Sequence, residues 1–203
     1  MGRERGLSRS WCRRVLDVPC AVQCATMIVK TRQGSPTDGP TLMHIEQSCR
    51  TAALFLPPAL RDPGQNRPRQ WRQWVLCQPP YDRHPTPRII FVAYEHNDIL
   101  GFIAATHDSL FGGYRSDIAG LYVLPRYRRR GIGTALLVRA AKWLQEDGIN
   151  RVTADCYAHD PSRGFYDRRG GVIIARTAED QADATAVMTY GFANLREMAA
   201  RPA

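Results

Sequence analysis

Polar and apolar positions follow no sustained period over residues 1 to 26, and a regular pattern begins only at Met27. From Met27 to Gln33 they alternate as along a half-buried strand, and Gly34-Ser35-Pro36 ends the run. Thr37 or Asp38 is placed to cap a helix with Pro40 in its first turn, and that helix is expected to reach about Ala53. Residues 56 to 68 are rich in Pro, Gly, Asn and Arg and read as a loop. Arg69 to Cys77 has the spacing of a short helix, and Pro79 to Pro87 is a second connection. Ile89 to Glu95 and Ile99 to Thr106 are apolar runs joined across His96-Asn97-Asp98, the pattern of an antiparallel hairpin. Ser116 to Leu124 is a further strand, which Pro125 stops.

Beyond a basic stretch the period changes. Ile132, Leu136, Val138, Ala140 and Leu144 recur at roughly helical spacing, so a helix is expected from about Gly133 to Asp147, ended by Gly148. Arg151 to Tyr157 is a strand, Ser162 to Arg169 a short helix before Gly170-Gly171, and Val172 to Ala175 and Ala186 to Tyr190 are late strands. The order β-α-α-β-β-β-α-β-α-β-β predicts an α/β (α+β) fold, a mixed sheet with helices on both faces.

Composition narrows the function classes. At 203 residues and 44% hydrophobic the chain suits one well-buried core. No run approaches the ~18 to 20 apolar residues of a membrane span, so no membrane association is expected. The net charge of +9 favours polyanionic partners, including phosphate-rich small molecules. Trp71, Arg72 and Trp74 hint at nucleic acid, but helix spacing turns both tryptophans to one face, and no specific nucleic acid is expected. The six cysteines (Cys12, Cys20, Cys24, Cys49, Cys77, Cys156) form no CxxC pair, so no metal site is expected and reduced thiols in a cytoplasmic protein are the default. Asp17, Pro19 and Gln23 interrupt any signal-peptide core. Residues 1 to 26 are therefore expected to be an irregular basic extension, 27 to 197 one domain, and 198 to 203 a tail.

The informative segment is Leu121-Tyr122-Val123-Leu124-Pro125-Arg126-Tyr127-Arg128-Arg129-Arg130-Gly131-Ile132-Gly133-Thr134. A strand runs into a basic, glycine-containing turn that opens an amphipathic helix. Such a turn aims unpaired backbone N–H groups, and the partial positive charge of the helix end, at one point. That suits a pyrophosphate. A dinucleotide fingerprint would need glycine where Leu136 stands, and a P-loop would need Gly-Lys-Ser/Thr; neither is present.

The segment resembles the central Arg/Gln-x-x-Gly-x-Gly/Ala motif of the GCN5-related N-acetyltransferase (GNAT) superfamily, matched at Arg128, Gly131 and Gly133. Downstream, Asp160-Pro161-Ser162-Arg163-Gly164-Phe165-Tyr166-Asp167-Arg168-Arg169-Gly170-Gly171 is similar to the superfamily's Asn-Pro-x-Arg-x-Phe-Tyr-Glu-x-x-Gly-Gly segment, and Tyr190-Gly191-Phe192 to its Tyr-Gly-Trp ending. The resemblance covers about Met27 to Leu195. It implies a central splayed sheet with helices on both faces, acetyl-CoA as cosubstrate, and transfer of its acetyl group to a primary amine of a small molecule or peptide. Coenzyme contacts are then expected from Leu121 and Val123 on the strand, from Arg128, Arg129, Arg130, Gly131, Ile132, Gly133 and Thr134 around the turn, and from Asp160. Asp160 replaces the usual asparagine, losing an amide donor. A homodimer is allowed, and so is a catalytically silent acyl-CoA-binding module.

Acetyl transfer from a thioester to an amine needs a base for the ammonium and benefits from an acid for the departing thiolate. Tyr166 matches the superfamily's thiolate-facing tyrosine. Asp117 stands where relatives often carry glutamate and is the candidate base, with His107 and Asp108 as competitors. The acceptor is expected over residues 55 to 88 and 107 to 115 and near Tyr190, with Gly112-Gly113-Tyr114 a turn that could touch it.

Overall fold

The computed structural model describes residues 29–54, 67–76, 86–177 and 186–201. The basic extension and most of the two Pro-rich connections lie outside them, as do the side chains of residues 67–70. A seven-stranded sheet runs in the order β1-β2-β3-β4-β5-β7-β6. Its strands are β1 (Lys30–Gln33), β2 (Arg88–Glu95), β3 (Asp98–Thr106), β4 (Asp117–Val123), β5 (Val152–Tyr157), β6 (Val172–Arg176) and β7 (Val187–Phe192). Every pair is antiparallel except β4 with β5. The helices are α1 (Gly39–Thr51), α2 (Arg67–Leu76), α3 (Ile132–Glu146), α4 (Arg163–Arg168) and α5 (Leu195–Ala200).

The alternation of the strands divides the core into two. One face of the sheet, with Ile103, Ile118, Val152, Ala154 and Tyr190, packs on α3 through Ile132, Leu136, Leu137, Ala140, Ala141 and Leu144. Each fully buried leucine there contributes about 2 kcal/mol. Val138, part of the expected stripe, is only half-buried, and Leu137 takes its place facing the sheet. The opposite face, with Ile90, Val92, Phe102 and Ala104, packs on α1 and α2 through Leu42, Ile45 and Trp71.

Glu46 of α1 is fully buried and ties this second layer together. It accepts hydrogen bonds from Arg50 Nε (2.9 Å) and from the Trp71 indole N–H of α2. Trp71 is therefore committed to the core, stacked edge-on against Phe102 at 4.9 Å between centroids, which removes the aromatic half of any nucleic-acid reading. Among the described residues no helix is long and apolar enough to cross a membrane.

Helix α5 is not among the elements expected from the sequence. Its start is fixed by Asn194, whose side-chain oxygen accepts from the N–H groups of Arg196 and Glu197, and Leu195 and Met198 are buried. This helix packs on α3 and crosses the boundary expected after residue 197.

Candidate active site

The site grows from a break in the sheet. β4 and β5 pair only at Asp117 with Thr153 and Ile118 with Ala154. Beyond these, β4 continues against β3 and β5 against β7, so the two strands part. Ladder bonds alternate along a strand. Because the Leu124 N–H bonds to the Leu100 carbonyl of β3 (3.0 Å), the backbone groups of Leu121 and Val123 face the gap. The Val123 carbonyl is occupied, accepting from Cys49 Sγ at 3.2 Å and from Arg128 Nε at 3.1 Å.

At the end of β4 the chain turns through a 3-10 segment, Pro125–Tyr127, into α3. Two residues of this turn have left-handed backbone, Arg129 (φ +62°) and Gly131 (φ +79°). The first bond back into the helix runs from Ala135 N–H to the Gly131 carbonyl at 2.9 Å. The N–H groups of Ile132, Gly133 and Thr134, all in the first turn, thus have no intrahelical acceptor.

The two glycines serve different ends. Gly131 supplies its backbone angle, while a Cβ there would meet nothing within 4 Å. Gly133 needs no special φ, and a Cβ would touch only Phe165 and Val123, at 3.7 Å and beyond. Packing therefore does not demand glycine at position 133; its effect is to leave the end of the gap open. Arg126 and Arg130 flank the Tyr127 ring at 4.9 and 5.5 Å. Among the described residues neither they nor Arg128 and Arg129 pair with a carboxylate. Open N–H groups, unpaired guanidinium groups and an absent Cβ together fit the phosphates of a coenzyme.

On the α3 side of the gap, α4 carries Tyr166, buried against Phe165, Tyr190 and Phe192 at centroid distances of 5.4–6.2 Å. Burial pushes its hydroxyl well above the usual tyrosine range, and Cys156, Asp160, Tyr122 and Asp117 raise it further. At neutral pH the hydroxyl therefore keeps its proton. Asp160 accepts from the Ser162 N–H through Oδ1 (2.7 Å), which starts α4; the structure thus gives it a local role.

On the α2 side, a cavity of about 230 Å³ is lined by Trp74, Arg88, Asp108, Asp117, Thr153 and Asp155, among others. Burial raises Asp117 to about 6; the Thr153 hydrogen bond opposes this, and Asp155 and Asp108 add to it. Thr153 donates to Asp117 Oδ1 at 2.7 Å and lies 3.1 Å from Ser109 Oγ. Asp155 accepts from Thr189 at 2.7 Å. His107 is placed elsewhere: its ring lies 4.4 Å from Trp143 and its Nε2 3.3 Å from Asp147, at the far end of α3. Asp108 shares the cavity with Asp117, whereas His107 does not line it.

Sequence reasoning missed two features here. Asp155 joins Asp117 because both occupy the same face of adjacent strands. In the β3–β4 ladder, Ala105 pairs with Ile118 and Ala104 with Gly120, so Ala119 is a bulge. The bulge lets Asp117 and Ala119 face the cavity while Leu121 and Val123 pack on the α3 side.

The sequence matches the Acetyltransferase (GNAT) family over residues 42–171, more than half of the chain. The chain belongs to this family. The matched region runs from within α1 to just past the end of α4 and contains both the turn and Tyr166. An N-alpha-acetyltransferase MAK3 of Arabidopsis thaliana is 32% identical over 94 residues, 44% of this chain and 48% of that protein, so the chain spans about half the length of this curated relative. Among solved structures, the PaiA N-acetyltransferase of Thermoplasma acidophilum in complex with coenzyme A superposes with a TM-score of 0.61 at 16% identity, covering 82% of this chain and all (100%) of that one. A ribosomal-protein-alanine N-acetyltransferase of Brucella melitensis does so with 0.60 at 18%, covering 80% and 98%. At such identities they share the GNAT fold with this chain.

Proposed function

We propose that this chain is an acetyl-CoA-dependent N-acetyltransferase acting on a primary amine by direct attack in a ternary complex. The observation that carries the reading is the parting of β4 and β5, with the phosphate-fitting turn at its open end, Tyr166 on one side and Asp117 on the other. Leu121, Val123 and the turn from Arg128 to Thr134 hold the coenzyme, and the bound thioester supplies the acetyl group. Asp160 borders the coenzyme arm with the oxygen that Ser162 leaves unbonded.

The acceptor enters through the cavity beside Asp117. Three carboxylates there against one guanidinium, Arg88, which lies over the Trp74 ring at 5.1 Å, favour an ammonium group. Asp117, ionised above about pH 6, takes the proton from that ammonium. The amine nitrogen then bonds to the acetyl carbon, the carbon–sulfur bond breaks, the Tyr166 hydroxyl gives its proton to the sulfur, and the second proton shed by the nitrogen restores the tyrosine. Either a peptide N-terminus or a small amine satisfies this arrangement; the likeness to the plant N-alpha-acetyltransferase supports the former.

The test is a thermal-shift titration with acetyl-CoA, followed by a thiol-release assay over peptides, polyamines, aminoglycosides and amino acids. A shift with thiol release on at least one amine class is expected. No shift refutes coenzyme binding, and a shift without release across the panel leaves the silent acyl-CoA-binding module as the better account.

A further inference from the structure

The short helix that carries Tyr166 ends on an arginine that the acetyl-transfer chemistry does not use. Arg169 is only 1% exposed, the largest fully buried side chain among the described residues. Its backbone is fixed by the end of α4: its N–H and that of Gly171 both bond to the Tyr166 carbonyl at 3.1 Å, and Gly170 turns the chain with φ +78°. No described carboxylate pairs with it. A buried cation without a counter-charge is costly unless hydrogen bonds or a ligand compensate.

Part of the compensation is structural. Nη1 donates to the carbonyls of Met198 (3.0 Å) and Ala199 (3.4 Å) in the last turn of α5, where the helix dipole is negative. The guanidinium also lies 5.1 Å from the Phe165 ring centroid. Its Nε is buried with no partner. The remaining contact points the other way: Nη2 donates to Thr134 Oγ1 at 2.6 Å. Thr134 is the third residue of α3, in the turn whose N–H groups are open. Here the cation lies beside the positive end of a helix, an arrangement that favours an anion at the same place.

We infer that Arg169 is a positioning residue for the coenzyme's pyrophosphate, acting through Thr134. The inference rests on the coenzyme reading given above. A threonine hydroxyl has one hydrogen. With Arg169 donating into Oγ1, that hydrogen cannot be spent on Arg169, and no described group accepts it. It is presented with the N–H groups of Ile132, Gly133 and Thr134 to a phosphoryl oxygen. The buried charge strengthens this donor from behind, and it joins α5 to the coenzyme turn through one side chain.

The test compares wild type with Arg169→Met, Thr134→Val and the double variant, using coenzyme A for binding, and acetyl-CoA and acetyl-pantetheine as acyl donors. Acetyl-pantetheine lacks the pyrophosphate. The single variants are expected to weaken coenzyme A by roughly tenfold. KM for acetyl-CoA should rise with kcat unchanged, kcat/KM for acetyl-pantetheine should hold, and the double variant should be no worse than either single one. Equal losses on both donors, or additive losses in the double variant, mean Arg169 only supports the fold, and overturn the inference. Should Arg169→Met fail to fold, Thr134→Val decides, and unaltered coenzyme A affinity in it overturns the inference. If wild type itself does not bind coenzyme A, the coenzyme reading fails; if wild type binds and the variants match it, only the role of Arg169 does.

Discussion

Replacing Asp117 with Asn should slow the enzyme and stabilise the protein at once. Asn keeps an oxygen to accept the 2.7 Å bond from Thr153 but cannot take a proton from an ammonium. Loss of a general base lowers kcat on the order of 10²-fold or more. The pH profile carries the sign: with the folded value at about 6, kcat/KM of the wild type rises with pH through 6 and levels above it. The Asn variant should lose that limb. Stability runs oppositely. The ordinary value of 3.8 is raised to about 6, so between these pH values the folded state binds more protons than the unfolded state. Stability therefore falls as pH rises through this window, and the full penalty is present above pH 6. At about 1.4 kcal/mol per tenfold change in the dissociation constant, the ceiling is about 3 kcal/mol. Chemical denaturation at pH 5 and pH 8, with initial rates over the same range, measures both. A variant less stable than wild type at pH 8 refutes the burial account, and one that retains the pH 6 limb refutes Asp117 as the base.

Tyr166→Phe keeps the ring packing on Tyr190 and Phe192 but removes the donor, so kcat should fall on the order of 10²-fold with coenzyme affinity unchanged; unaltered turnover in steady-state assays sinks the acid role. The two glycines should respond with opposite signs. Gly131→Ala forces an L side chain into φ +79° and should cost about 1–2 kcal/mol in denaturant melts. Gly133→Ala, in a helix with room for the Cβ, should gain up to about 1 kcal/mol, while Gly133→Glu should abolish the acetyl-CoA thermal shift. Asp155→Asn should raise KM for a cationic acceptor by roughly two- to fivefold without changing coenzyme affinity; an equal effect on both contradicts a cavity that serves the acceptor alone.

Local signals revealed much of the fold. The β2–β3 hairpin follows from two apolar runs joined across His96-Asn97-Asp98, of which Asp98 opens β3, and α3 from its apolar period and Gly148. The coenzyme turn was legible because its requirements are local: a strand end, a residue with positive φ, and a helix start. Of the cavity, the segments around Arg88 and Asp108 and the strand start at Asp117 were legible, but Asp155 was not: it stands on a separate strand, and only the pairing of Asp117 with Thr153 brings it to the same face. The bulge at Ala119 has no sequence mark. Helix α5 had one, Asn194 with Glu197 three residues on, a capping pattern hidden by the brevity of the six-residue helix. Arg169 reads in sequence as an ordinary basic residue at a helix end; its burial follows from α5 closing over it.

The distribution of charge along β4 gives the net +9 its physical meaning. A uniformly basic surface would draw the polyanionic acyl donor and repel an ammonium acceptor. In this fold the two tendencies are separated along one strand. The end of β4 leads into Arg126, Arg128, Arg129 and Arg130, while its beginning holds Asp117, which shares a cavity with Asp108 and Asp155. The two ends are joined by a strand of seven residues, roughly 20 Å long. Over twice the ~8 Å screening length of physiological salt, the basic end does little to cancel the pull of the acidic end on an amine. In the proposed reaction, donor and acceptor are thus drawn in from opposite ends of the same strand and meet where β5 parts from it, between Asp117 and Tyr166. Raising the salt concentration should therefore weaken KM for both substrates, even though their charges are opposite. A protein whose excess arginine were merely solvated would show the effect for neither.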